Sequence, residues 1–207
     1  MKNSITKHKN ICGFSLIELA MILIIAGILI GIGLPIARVY IEQYKHTQDR
    51  ANMFQLKELL IGYGLSRGGL PDDAGNVIPA NNIGMTGVNP YTNNVQYYAN
   101  SLLTEAATGN DLTSLCDTAR DILDGTTAST TPAICNDVAQ NYVNCTDSTV
   151  MAFVIVSPGK NHSMEHENSD GDLEFENPSK RPNASNNYDD IVASYGLPQL
   201  VNECQNG

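Results

Sequence analysis

Glu18 is the single charged residue between Lys9 and Arg38. A carboxylate inside a membrane-spanning helix costs a few kcal/mol, about 3 at the helix centre and less near its end. Such a charge needs a partner, and its own helix offers none. Arg38 would stand about 30 Å further along the axis at about 1.5 Å rise per residue. The plain reading is an interfacial Glu whose carboxylate reaches water. The functional reading is a charge neutralised by a second molecule.

A second group is acidic: Asp170-Gly171-Asp172-Leu173-Glu174-Phe175-Glu176, followed by Asp189-Asp190. Carboxylates on loops, with backbone carbonyls nearby, suit a hard cation such as calcium. Asp189 and Asp190 are the leading candidates, then Asp170 and Asp172. The spacing is not an EF-hand, because no Gly stands sixth after a D-x-D-x-D frame. A solvated loop is the plain alternative. His162-Ser163-Met164-Glu165-His166 fits the H-x-x-E-H zinc-peptidase signature. That chemistry needs both His on one helical turn, a distant third ligand and a water-filled cleft. Here the match follows a Ser157-Pro158-Gly159 turn in a loop rich in Asn and Ser, so zinc hydrolysis is set aside. Without a Gly-rich phosphate loop or a Ser/His/Asp pattern, the chain is expected not to be an enzyme.

Cys116, Cys135, Cys145 and Cys204 follow a separate Cys12 near the N-terminus. An even number in an exported domain implies two disulfides with three connectivities. Cys116–Cys135 and Cys145–Cys204 are favoured, the first closing a Thr-rich loop and the second tying down the C-terminus. The other pairings stay open. Paired C-x-x-C metal ligands are absent. The net charge of −10 argues against direct nucleic-acid binding, which wants a basic face.

The elements that must position these residues follow from periodicity. Met1 to Gly13 holds Lys2, Lys7 and Lys9 and no acid. It lacks the apolar core of an ordinary secretory signal. From Leu19 to Ala37 nineteen residues carry no charge, nearly enough to span a bilayer core of about 30 Å. Lys before this run and their absence just after it favour a cytoplasmic N-terminus and an exported C-terminal part. Gly27 and Gly31 form a small-xxx-small pair that lets helices approach. Pro35 removes one helical hydrogen bond. Beyond it, Ile36, Val39, Tyr40, Ala51, Phe54, Leu56, Leu59, Leu60 and Tyr63 form an apolar stripe expected to pack on the following domain. Gly64, Gly68, Gly69 and Pro71 end the helix near Ser66. A strand is expected over 95–98, a helix over 111–123 capped by Asp111, a linker over 126–132, and strands over 149–156 and 190–195.

The stretch Gly13-Phe14-Ser15-Leu16-Ile17-Glu18-Leu19, with the apolar run to Pro35, resembles the type IV pilin and pseudopilin family. In that family the leader is cut after the Gly and the new N-terminal Phe is methylated. The tail's acid, glycine and proline match Glu18, Gly27 and Pro35. The resemblance implies cleavage between Gly13 and Phe14 by prepilin peptidase, which also removes three Lys and takes the charge from −10 to −13. It implies that Glu18 meets the freed α-amino group of a neighbouring copy. Such a pair at about 4 Å attracts by about 4 kcal/mol before desolvation. The exit Leu59-Leu60-Ile61-Gly62-Tyr63 with Gly68-Gly69-Leu70-Pro71-Asp72 is similar to a minor-pilin subgroup. Asn89-Pro90-Tyr91 looks like the pseudopilin turn into the first strand. Type II secretion pseudopilins bind calcium in their last β-loop, and Ser157-Pro158-Gly159 with Asp189-Asp190-Ile191 occupy similar places here.

The expectation is an α+β pilin fold. A long N-terminal helix, membrane-spanning in its first half and amphipathic in its second, packs against a small antiparallel sheet. Residues 1–13 are the leader, 14–37 the membrane and assembly segment, 38–66 the helix continuation and 67–207 the exported head. The expected function is a minor pilin or pseudopilin of a type IV pilus or type II secretion filament. Its partners would be prepilin peptidase, other pilin or pseudopilin subunits, the inner-membrane assembly platform, and membrane lipid before assembly. It would sit in the inner membrane with a periplasmic head, then in a filament. The alternative is a membrane-tethered binding protein that never polymerises.

Overall fold

The computed structural model describes residues 15–72, 95–129, 131–136, 147–159, 163–164, 168, 173–175, 177 and 190–206. The chain divides into two compact units, Met1–Tyr44 and Lys45–Gly207. One helix, α1 (Leu16–Arg67), contributes to both.

In the first unit α1 is an apolar rod whose large side chains are exposed among the described residues. Leu16, Met21, Leu29, Ile36 and Tyr40 all lie exposed. An 18-residue window reaches mean hydropathy 2.7 and none of it is buried. The helix is therefore long and apolar enough to span a membrane. It continues through Pro35.

In the second unit α1 gains a buried face. Asp49, Met53, Leu56 and Leu60 are buried, and their spacing of three and four places them on one stripe. Gly64 continues it. The helix ends where Gly68 takes φ +75°, a left-handed conformation that glycine adopts without a Cβ penalty. The amides of Gly68 and Gly69 both donate to the Gly64 carbonyl, at 2.8 and 3.1 Å. This exit is docked tightly. A Cβ on Gly69 would stand 2.5 Å from Thr108 Oγ1, and one on Gly68 2.5 Å from the backbone of Asp111 and Leu112. Leu70 then bridges Leu103 and Glu105: its amide donates to the Leu103 carbonyl and its carbonyl accepts from the Glu105 amide.

The sheet is built around β3 (Ser148–Ser157). Strands β1 (Gln96–Ala99), β2 (Ala133–Cys135) and β5 (Ile191–Gly196) each pair antiparallel with β3. The two-residue β4 (Glu174–Phe175) runs parallel to β2. The fold is α+β as expected, with the pairings on β3 antiparallel and one short parallel pairing of β4 that makes the sheet mixed. Side chains alternate across a strand, and both faces of β3 are covered. Phe153 and Ile155 pack with Met53, Leu56 and Leu60 of α1 in one cluster. Val154 and Val156 pack with Tyr98, Ile134 and Phe175 in another. Burial on both faces explains why β3 reads as an unbroken apolar run rather than an alternation. Among the described residues the unit also holds the α-helices α2 (Glu105–Thr108), α3 (Leu112–Leu123) and α4 (Leu197–Asn206). Asp111 caps α3 as expected, its Oδ1 accepting from the Thr113 amide at 3.1 Å.

The expected stripe on α1 needs correction. Leu56 and Leu60 are buried, but Phe54 is 65% exposed, Leu59 39% and Ala51 exposed as well. Ile36, Val39 and Tyr40 also lie open. The core face is centred on Asp49, Met53 and Leu60, roughly half a turn from Ala51. The favoured Cys116–Cys135 and Cys145–Cys204 pairing is also corrected, since Cys116 bonds Cys204 with Cα atoms 5.8 Å apart. The reason is that α3 and α4 pack side by side, so the inward Cys116 faces α4 rather than β2. Cys135 is itself disulfide-bonded, and Cys145 lies outside the described residues.

Candidate functional site

The first turn of α1 is built by two residues. Ser15 Oγ accepts a hydrogen bond from the Glu18 amide at 3.3 Å, and the Ser15 carbonyl accepts from Glu18 and Leu19 at 3.1 and 3.2 Å. Ser15 therefore caps α1, and Glu18 stands at the third helical position. This is the spacing of a capping box. A carboxylate there also meets the positive end of the helix dipole. The Ser-x-x-Glu signal was legible in the sequence and marks the start of α1. Among the described residues no base forms an ion pair with Glu18. Gly13 and Phe14 lie outside the described residues.

Along the same rod, a Cβ added at Gly27 or Gly31 would meet nothing within 4 Å. Neither glycine is required by the chain's own packing there. Their place in an otherwise Leu- and Ile-rich helix lowers helix propensity by about 1 kcal/mol each. They leave a flat strip flanked by exposed Leu23, Ile24 and Ile30.

Of the acidic group, Glu174 and Asp190 are described, while Asp170, Asp172 and Asp189 lie outside the described residues; Glu174 on β4 accepts from Ser148 Oγ at 3.1 Å. Asp190 is buried, and its Oδ2 accepts from Asn168 Nδ2 at 3.0 Å. Among the described residues no three His, Cys, Asp or Glu side chains are grouped to hold a metal. His162, Glu165 and His166 also lie outside the described residues.

Asp49 is a site residue that hydrophobic scanning missed. It is fully buried in the second unit, on the core stripe of α1. Ser157 Oγ, at the end of β3, donates to Asp49 Oδ2 at 2.7 Å. Among the described residues Oδ1 has no hydrogen-bond partner. Burial raises the Asp49 carboxyl above the ordinary carboxylate range, and the Ser157 hydrogen bond and His46 oppose that rise. The clue in the sequence was an acid at the spacing of Met53, Leu56 and Leu60.

A second tie between α1 and the sheet is aromatic. Lys57 Nζ lies 5.1 Å from the Phe54 ring centroid and 5.9 Å from that of Tyr195. Tyr195 stacks on Phe153 at 5.7 Å. Burial pushes the Tyr195 hydroxyl up to about 12, with Glu203 and Glu58 adding to the rise.

Compared with family models, with curated proteins and with solved structures, the chain finds no match.

Proposed function

We propose that this chain is a filament subunit of the type IV pilin or type II secretion pseudopilin kind, assembled through α1. The observation that carries the reading is the division within α1. The segment bearing Glu18 leaves its large apolar side chains open, while the segment after Lys45 buries one face, Asp49, Met53, Leu56 and Leu60, in its own head. Lipid first covers the open segment, and sister helices then replace the lipid. Glu18 is the address for the neighbour's freed amino group at Phe14, and Gly27 lets the rods approach. Prepilin peptidase and the inner-membrane assembly platform are the processing and assembly partners. The head is periplasmic before assembly. Calcium on the Asp189–Asp190 segment belongs to the same reading. No catalytic role is proposed.

The test has two parts. Mass spectrometry of the mature protein should find Phe14 as the N-terminal residue, carrying a methyl group. Glu18→Ala should leave membrane fractionation intact and reduce incorporation into filaments in competition with the unmodified chain, by tenfold or more if the pair is worth the about 4 kcal/mol estimated before desolvation. An intact Met1 or equal incorporation would defeat the reading.

One observation favours the alternative, a tethered binding protein that does not polymerise. Glu18 lies in the first turn of α1, where the helix end favours a negative charge without a second molecule. On that reading Ser15→Ala and Glu18→Ala have similar, small effects on helix formation, and neither alters a filament.

A further inference from the structure

Asp49 is the first residue of α1 in the second unit to be fully buried. It marks the point where the helix becomes part of the head's core. A carboxylate at such a place is expected to hold several hydrogen bonds or a paired cation. Asp49 has one, from Ser157 Oγ at 2.7 Å, and among the described residues its Oδ1 has none. The shortfall weighs very differently on the two protonation states. As the neutral acid, Asp49 leaves one weakly satisfied polar group in the core. As the carboxylate, it leaves a buried charge on a single donor.

The groups around it do not repair this. On its own helix His46 stands one turn earlier and draws the carboxyl down when charged. Lys45 and Arg50 are the other charged residues nearest in sequence, and neither forms an ion pair with it among the described residues. From β3 the facing group is the Ser157 hydroxyl. Ser157 is in register with Ile191 of β5. The neighbouring Asp190 accepts from Asn168. Strand alternation places it on the face of Val192, away from α1.

We propose that Asp49 is a proton-operated latch between α1 and the end of β3. As the neutral acid it carries no buried charge and leaves the first buried turn of the helix seated against the end of β3. As the carboxylate it lets that turn open. The head's grip on its helix is then set by the pH of the surrounding compartment. This device goes beyond the filament reading and holds equally for a tethered protein.

The sign follows from linkage. A carboxyl raised by folding contributes stability fully below its unfolded value, near 3.8. That contribution is lost as pH rises through the raised folded value. Hydrogen exchange of the amides of residues 46–53, measured on the full processed chain in detergent between pH 4 and 8 and corrected for intrinsic exchange, reads this directly. Protection of the unmodified chain should fall with pH, by about tenfold for each unit by which folding raises the carboxyl. Asp49→Asn keeps an acceptor for Ser157 and should give a flat profile. Ser157→Ala removes the donor that favours the charged form, so its fall should extend to higher pH. Parallel profiles for the unmodified chain and Asp49→Asn overturn the latch. Should Asp49→Asn fail to fold, identical profiles for the unmodified chain and Ser157→Ala overturn it instead.

Discussion

The two stretches of α1 use the same residue types in opposite ways. Between Leu16 and Tyr44 the large apolar side chains lie open, whereas between Lys45 and Arg67 Met53, Leu56 and Leu60 are buried to within 2%. A helix can be held by its own fold or by whatever surrounds it, and α1 has one stretch of each kind. The second stretch has its partners in the head: Phe153 and Ile155 of the sheet and Leu115 of α3 share its core. For the first stretch, transfer of so many Leu and Ile side chains out of water is worth far more than helix propensity. That stretch is long and apolar enough to span a membrane, and apolar surroundings suit it. Substitutions should sort accordingly, with head stability answering to one stretch and membrane retention to the other.

The largest effect on the head should come from its covalent tie. The Cys116–Cys204 bond spans 88 residues, and chain entropy alone assigns such a loop about 4.6 kcal/mol. Replacing both cysteines by Ser should lower the midpoint of urea unfolding, followed by circular dichroism, by an amount equivalent to about 4 kcal/mol. Membrane fractionation should stay the same. A head that loses less than about 1 kcal/mol would mean that α3 and α4 hold together without the bond.

Next come matched leucines on the one helix. Leu60 is 0% exposed, so Leu60→Ala should destabilise the head by about 3 kcal/mol, the transfer term plus a cavity. Leu29 is 66% exposed, and Leu29→Ala should leave the head's melting unchanged. Leu29→Arg should instead cost about 3 kcal/mol of membrane insertion, seen as loss from the membrane fraction with head melting again unaltered. Equal destabilisation of the head by both alanine variants would erase the distinction between the stretches.

Particular residues show what the sequence revealed. Gly68, Gly69 and Pro71 announced the helix exit because backbone conformation there depends on residue type alone. Asp111 announced α3 for the same reason, and β3 stood out because burial on both faces makes its apolar run continuous. The phase of the core stripe on α1 was misread for an opposite cause. Phe54 and Leu59 score as core residues, yet they are exposed, while Asp49 and Gly64 lie on the buried face. The buried phase sets Met53, Leu56 and Leu60 against Phe153 and Ile155, and it is compatible with Asp49 because Ser157, 108 residues away, donates to it and with Gly64 because Leu70 approaches there. Strands β2 and β4 are three and two residues long, too short to carry periodicity, and exist through their pairing. Helix α4 was legible but overlooked. Leu197, Leu200, Val201 and Cys204 follow helical spacing, and Pro198 suits a helical first turn. At the candidate site, Glu18, Gly27 and Pro35 could be singled out from composition, whereas the cap from Ser15 required reading the same four residues as a helix start.

The smallest predicted effect is also the sharpest test of where the outside-facing surface ends. Gly62 lies inside α1, in the stretch that the head holds, yet it is exposed and a Cβ there would meet nothing within 4 Å. Gly64, two residues on, has a reason to be glycine, since its Cβ would press to 3.0 Å on Leu70 Cδ2. Gly62 has none among the described residues, and Ala at an exposed helical position is favoured over Gly by about 1 kcal/mol. Gly62→Ala should therefore raise the head's stability by about that much, a few degrees in Tm. If this side of α1 also meets a sister helix, the added methyl group should at the same time lower incorporation into filaments. A more stable head with unchanged incorporation would confine the assembly surface to the stretch before Lys45, and a more stable head with reduced incorporation would extend it past Phe54.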